Sequence, residues 1–161
     1  MAADDVLCGG GCLEAVKACL AAGAEVDAAS GNSYMDWWTA LVHAGREGHE
    51  AVVEALLEAG ASAKVGRDGR DETLGAVCWG RPTPGIVRRL VEAGADVKAV
   101  DDDGYSALHR AAIRGNLAVM EALVDLGAEL TTTSNDGSTA MHDGEWGGGA
   151  VADGTWGKHP G

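Results

Sequence analysis

Residues 101–130 read Asp101-Asp102-Asp103-Gly104-Tyr105-Ser106-Ala107-Leu108-His109-Arg110-Ala111-Ala112-Ile113-Arg114-Gly115-Asn116-Leu117-Ala118-Val119-Met120-Glu121-Ala122-Leu123-Val124-Asp125-Leu126-Gly127-Ala128-Glu129-Leu130. In the second half, Leu117, Met120, Leu123 and Val124 fall at i, i+3, i+6 and i+7, the spacing of one helix face. Gly127 is placed to end that helix by taking a positive φ. A shorter helix is predicted over Ala107 to Arg114, entered through the Asp103-Gly104 turn signal with Ser106 as its cap. Two antiparallel helices and a turn-rich finger make one unit.

Working outward, the apolar run and its Gly-Ala close recur. Gly23-Ala24, Gly60-Ala61, Gly94-Ala95 and Gly127-Ala128 stand 37, 34 and 33 residues apart, preceded by Ala18-Cys19-Leu20-Ala21-Ala22, Ala55-Leu56-Leu57-Glu58-Ala59, Arg89-Leu90-Val91-Glu92-Ala93 and Ala122-Leu123-Val124-Asp125-Leu126. Such a period points to a solenoid, in which each unit buries its apolar face only against its neighbours. Function is then to be sought on a surface that crosses repeats.

At these residues the chain resembles the ankyrin repeat family. Ser106-Ala107-Leu108-His109 stands where the family favours Thr-Pro-Leu-His, followed by Ala111-Ala112, Gly115-Asn116, Val119, Leu123-Val124 and Gly127-Ala128; Thr39-Ala40-Leu41, Ala44, Gly48-His49, Val52-Val53, Leu56-Leu57 and Gly60-Ala61 repeat the offsets. The resemblance implies an all-α ankyrin-repeat solenoid of stacked helix-turn-helix units with β-turn or hairpin fingers, and an interaction role instead of a reaction. His109, His142 and His49 fall where it implies backbone hydrogen bonding within and between repeats. The expected domain is residues 1–142, about four units and the start of a fifth, with the first unit as an N-terminal cap. Residues 143–161, rich in Gly and Trp, are expected to be a loosely ordered tail, because Asp143-Gly144-Glu145 and Gly147-Gly148-Gly149 suit a helix poorly.

The spacing is uneven in two places. Gly23 to Leu41 spans 18 residues, whereas Gly60 to Leu74, Gly94 to Leu108 and Gly127 to Met141 each span 14, so the first finger carries four extra residues. Leu74 to Gly94 spans 20 against 19 in the units on either side, which puts one extra residue within Gly80-Arg81-Pro82-Thr83-Pro84-Gly85. Thr83-Pro84 is a sound helix start there, since Pro is tolerated at the first helical position.

Composition narrows the function classes. Apolar residues make up 46% and charged residues 23%, within the soluble globular range. With 25 Gly and no Phe, the core rests on Ala, Val and Leu. A net charge of −13 repels a phosphate backbone and argues against nucleic acid. No apolar stretch approaches the roughly 20 residues of a bilayer span, and Met1-Ala2-Ala3-Asp4-Asp5 lacks a cationic signal start; no membrane partner and an intracellular, cytoplasmic setting are expected. Cys8, Cys12 and Cys19 miss the spacing of a zinc knuckle, and Cys8, Cys19 and Cys78 align with core positions, so no metal is expected. Neither a phosphate-binding Gly-x4-Gly-Lys, a Gly-x-Ser-x-Gly elbow nor a His-Glu-x2-His pair occurs. The expectation is a non-catalytic scaffold that needs no cofactor.

The candidate partner-binding residues follow from the finger and the resemblance together. Tyr34, Met35, Trp37 and Trp38 crowd the long first finger, and exposed Trp and Tyr are enriched among binding hot spots; one reading makes them a protruding grip, the other folds one or both Trp over the Ala-rich core. The family's concave face would present Trp38 and Arg46, Trp79, then Tyr105, Ile113 and Arg114, and Trp146 from the incomplete fifth unit. Residues 64–89 carry Lys64, Arg67, Arg70, Arg81, Arg88 and Arg89 against Asp68, Asp71 and Glu72, a balance of +3 beside −16 elsewhere. That stretch reads either as a site for an acidic or phosphorylated segment or as a solvated face with salt links. The expected partner is a protein or peptide. The chain is expected to be monomeric unless an exposed C-terminal repeat face self-associates, and the alternative role is a targeting or regulatory segment of a larger enzyme.

Overall fold

The computed structural model describes residues 13–29, 38–67 and 70–147. Over them the chain forms α1 (Leu13–Ala21), α2 (Ala40–Glu47), α3 (Glu50–Glu58), α4 (Thr73–Cys78), α5 (Pro84–Glu92), α6 (Ala107–Ile113), α7 (Leu117–Asp125) and α8 (Ala140–Gly147). Helices α2, α4, α6 and α8 pack in succession as an inner row, and α1, α3, α5 and α7 as an outer row. Only isolated bridges, Ala29 with Thr39, Val100 with Ser106 and Thr133 with Thr139, supplement the helices among the described residues, and each closes the base of a finger.

The Gly-Ala pairs have a physical explanation. Gly23, Gly60, Gly94 and Gly127 all take positive φ, which turns the chain so that the following N–H reaches back. Ala24, Ala61, Ala95 and Ala128 donate to the carbonyls of Cys19, Leu56, Leu90 and Leu123 at 2.9–3.0 Å, closing each outer helix. Ala61 and Ala95 are then buried, where a small side chain is what the space admits.

Leu41, Leu74 and Leu108 are buried at the same place in successive inner helices, with Val53, Val87 and Val119 behind them in the outer row. Small residues, Ala44, Ala111 and Ala112 among them, line the contacts between rows. Such a core is a continuous seam, and each layer depends on its neighbours. At Ser106 a capping box locks α6. The backbone N–H of Ser106 can only donate, so Nδ1 of His109, 3.2 Å away, must accept. The ring hydrogen therefore sits on Nε2, from which the carbonyl of Ser138 in the next finger accepts at 3.2 Å. His109 is thus the backbone staple, within and between repeats, that the resemblance implies.

Both irregularities appear where the spacing puts them. Residues 30–38 stand between the bridge pair of the first finger, against 101–105 and 134–138 in the later ones, four residues more. In the third unit α4 is short, residues 79–83 connect it to α5, and Thr83 caps α5 by accepting from the N–H of Ile86 at 3.3 Å with Pro84 following. At the C-terminal end α8 packs on α6 and continues to Gly147. The expected boundary at residue 142 therefore falls inside a helix. No helix among the described residues is long and apolar enough to cross a membrane.

Candidate functional site

Aspartates build the fingers. Asp101 accepts the N–H groups of Asp103 and Tyr105 on one carboxylate oxygen at 3.0 and 2.9 Å, the local bonding that makes Asp a turn former. Its other oxygen holds the guanidinium of Arg110 on α6. Asp71 accepts from the N–H of Thr73 at 3.2 Å and from Asp96 in the following finger at 2.6 Å. Thr73 in turn donates to the carbonyl of Val65 at 3.1 Å and accepts from its N–H at 2.8 Å, holding Val65 against the start of α4. Asn135 binds the carbonyls of Asp103 and Asp102 with its backbone and side-chain nitrogens, at 2.9 and 2.8 Å. The fingers are thereby laced edge to edge.

Between two of these fingers and the inner helices lies an open cleft of about 230 Å³. Trp79 stands on one wall and Tyr105 on another, with Arg110 stacked on both, its guanidinium carbon 4.9 Å from the first ring centre and 4.7 Å from the second. Trp79 at 40% exposure and Val100 at 39% are the most exposed large apolar side chains of the described residues, and both line this cleft. Asp71, Glu72, Asp96, Asp101, Asp102 and Asp103 supply the acidic lining, against Arg67 and Arg110.

Glu72 is the unusual member. It is 7% exposed, and its Oε1 has no hydrogen-bond partner. Burial pushes its carboxyl above the ordinary value, Arg67 opposes this, and Asp102 and Asp101 add to it. A buried, incompletely bonded carboxylate lowers stability.

The sequence-predicted residues divide. Trp79 and Tyr105 meet in the cleft, and Tyr105 donates to Asp136 of the next finger at 3.3 Å. Trp38 is also among the lining residues, but the protruding-grip reading is corrected for it: at 7% exposure it belongs to the core, the other reading left open above. Arg46 lies 4.3 Å over its ring and His43 meets it edge-on at 5.3 Å, so both neighbours on α2 roof it. Arg46 is engaged in that stack, half-buried, with its guanidinium pulled below the usual arginine range chiefly by burial. Ile113, half-buried, and Arg114, exposed, do not line the cleft. Tyr34, Met35, Trp37, Cys8, Cys12, most of the expected tail and the side chain of Trp146 lie outside the described residues.

The basic stretch is drawn into salt links, Arg70 with Asp102, Arg88 with Asp125 at 3.8 Å and Arg89 with Glu54 at 3.0 Å. Cys78 is a core thiol that burial pushes up to about 12, which removes thiolate chemistry. Among the described residues no three His, Cys, Asp or Glu side chains are grouped to hold a metal ion.

Sequence reasoning missed Glu72 and Arg110. For Arg110 a signal existed: it follows the buried Leu108 by two, as His43 follows Leu41, while Tyr105 and Trp38 each precede that leucine by three. The aromatic and its covering side chain thus occur in the second and fourth units, whereas the third has Asp71 and Ala76 at those positions.

Comparison with known proteins bears on this arrangement. Residues 74–148 match the family model described as Ankyrin repeats (3 copies), and residues 36–66 the one described as Ankyrin repeat. The chain is 37% identical over 75 residues to an E3 ubiquitin-protein ligase of Arabidopsis thaliana, covering 46% of this chain and 5% of that protein. It is 34% identical over 83 residues to a glycerophosphocholine phosphodiesterase of Candida albicans, covering 52% of this chain and 7% of that one. The matched stretch is thus a small part of either relative.

Proposed function

Because this chain belongs to the ankyrin repeat family, whose repeats are protein-interaction modules, we propose that it is a non-catalytic scaffold holding a partner protein or peptide in the cleft between its fingers and inner helices. One observation carries this reading: the two most exposed large apolar side chains among the described residues, Trp79 and Val100, converge on a single concavity. Scattered exposed apolar residues need no explanation, but a cluster in a concave site does. At about 230 Å³ the cleft is below the roughly 300–1,000 Å³ of small-molecule sites, which favours a side chain or short segment over a metabolite. Capture of proteins on the immobilised chain, in parallel with Trp79→Ala and Val100→Ser variants, tests the reading. It expects a protein retained by the native chain to be lost from both variants, and it fails when all three retain the same set.

A second reading has its own observation. Both relatives are enzymes by name, and the matched stretch is 5% and 7% of their lengths; in this reading the chain is a targeting or regulatory segment of a larger enzyme. Sequencing the transcript across and beyond this region decides it. A catalytic domain in the same frame on either side supports the reading, and a complete open reading frame that encodes none removes it.

A further inference from the structure

Resting on the cleft as docking site, we propose that its occupant is a basic segment, one lysine or arginine side chain of which enters between the exposed surface of Trp79 and the carboxylates of Glu72, Asp102 and Asp103. Three independent features converge on this chemistry. The first is charge: six carboxylates line the cleft against two arginines, and Asp101, Asp71 and Asp96 are already committed to finger hydrogen bonds. Asp102 and Asp103 are exposed, with Asp102 shared with Arg70 across the surface, so an incoming cation meets negative charge at the mouth.

The second feature is the Glu72 carboxyl. It lines the cleft at 7% exposure, the backbone N–H of Arg67 bonds to it, and its Oε1 has no partner. A cation seated beside it supplies countercharge to a carboxylate that burial has stripped of most of its water.

The third feature is the aromatic wall. Arg110 shows that these rings accept a guanidinium, lying 4.9 Å from Trp79 and 4.7 Å from Tyr105. Trp79 stacks with one cation and, as a residue 40% exposed, has surface left to take another. An acidic or phosphorylated segment, by contrast, would set its own charge against Glu72, Asp102 and Asp103.

The test titrates the full chain, by calorimetry at low and high salt, with a nine-residue peptide bearing three lysines or arginines among glycine and serine. Its counterpart carries glutamine at those positions. The basic peptide is expected to bind about tenfold more tightly than the glutamine peptide, and to weaken with salt. Since an acidic body attracts any cation, two double variants of equal charge separate site from background. Glu72→Gln with Asp103→Asn should lose about tenfold, whereas Glu92→Gln with Glu121→Gln, on the outer helices, should lose less than about twofold. Circular dichroism verifies that each variant folds, and Asp103→Asn alone, at an exposed position, keeps the test open if Glu72→Gln does not. Equal losses in the two double variants, or no preference for the basic peptide, overturn the proposal. A captured partner that depends on Trp79 yet contacts the cleft with no lysine or arginine would sink this inference and leave the docking site standing; capture insensitive to Trp79 and Val100 would sink the docking site itself.

Discussion

Two histidines occupy equivalent positions in successive units, and their different burial sets a quantitative expectation. His109 is fully buried; its ring accepts from the N–H of Ser106 at 3.2 Å and donates to the carbonyl of Ser138 at 3.2 Å. His142 accepts from the N–H of Thr139 at 3.4 Å but is exposed. In His109→Ala the buried Ser106 N–H loses its acceptor, at about 1–3 kcal/mol, and the bond to Ser138 is lost, at about 1 kcal/mol. Ser138's carbonyl is not left bare, because Ser134 also donates to it at 2.9 Å. A void where the ring stood adds a cavity term, bringing the expected cost to about 4 kcal/mol. At roughly 3 °C per kcal/mol for a chain of this size, the melting midpoint should fall by about 12 °C. In His142→Ala water replaces the lost bonds, and about 0.5 kcal/mol, or 1–2 °C, is expected. Thermal unfolding followed by circular dichroism at 222 nm on the two variants measures both. A His109→Ala midpoint within about 3 °C of His142→Ala would refute the staple argument, because burial and the inter-repeat bond would then contribute nothing.

Trp38→Ala should act on stability, by about 3–5 kcal/mol as for other buried aromatics, and peptide affinity measured below the lowered midpoint should change far less than in Trp79→Ala. Gly48 and Gly127 both have positive φ, but a Cβ at Gly48 would meet the carbonyl oxygen of Arg81 at 2.9 Å whereas one at Gly127 meets nothing within 4 Å. Ala at 127 should therefore cost about 1 kcal/mol and Ala at 48 at least about 2, read from chemical denaturation. Glu72→Gln is expected to raise the melting midpoint at pH 7 and to leave it nearly unchanged at pH 4. The folded-state pKa of Glu72 is raised above 4.5 by burial, then by Asp102 and Asp101, with Arg67 opposing. Its contribution is therefore most favourable below the unfolded value and is lost as pH rises through the folded one; a midpoint at pH 7 no higher than native would contradict the buried-charge assignment.

The repeats were legible because their signals are local: a glycine at each helix end, a serine cap, an i, i+3 apolar face. Each such signal is complete within one unit, so reading it requires no knowledge of the neighbours. Trp79 and Tyr105 were reachable by register for the same reason. Trp38 was open to two readings because it has Tyr105's register but sits at the base of a longer finger; its burial depends on Arg46 and His43 from α2 covering the ring. Glu72 was not legible at all. Its position follows from Val65, which Thr73 ties to the start of α4 and whose carbonyl accepts from the N–H of Glu72, in the unit that departs furthest from the repeat pattern.

The charge of the cleft shows most plainly why a reading of the linear sequence alone falls short here. Summed along the chain, residues 64–89 are basic, which reads either as a site for an acidic or phosphorylated segment or as a solvated face with salt links. In a solenoid, however, the nearest spatial neighbour of a finger residue is the equivalent residue about one period on, not the next residue in sequence. Asp96 bonds to Asp71 across 25 positions and Asp102 to Arg70 across 32, so the acidic segment 96–103 lies over the stretch whose arginines seemed exposed. Arg70 is neutralised by that neighbour, while Arg88 and Arg89 point to Asp125 and Glu54 in the outer row on either side. What remains at the cleft is the acidic excess of two fingers taken together, so the salt-link reading of the basic stretch is the one that survives once charge is summed across repeats.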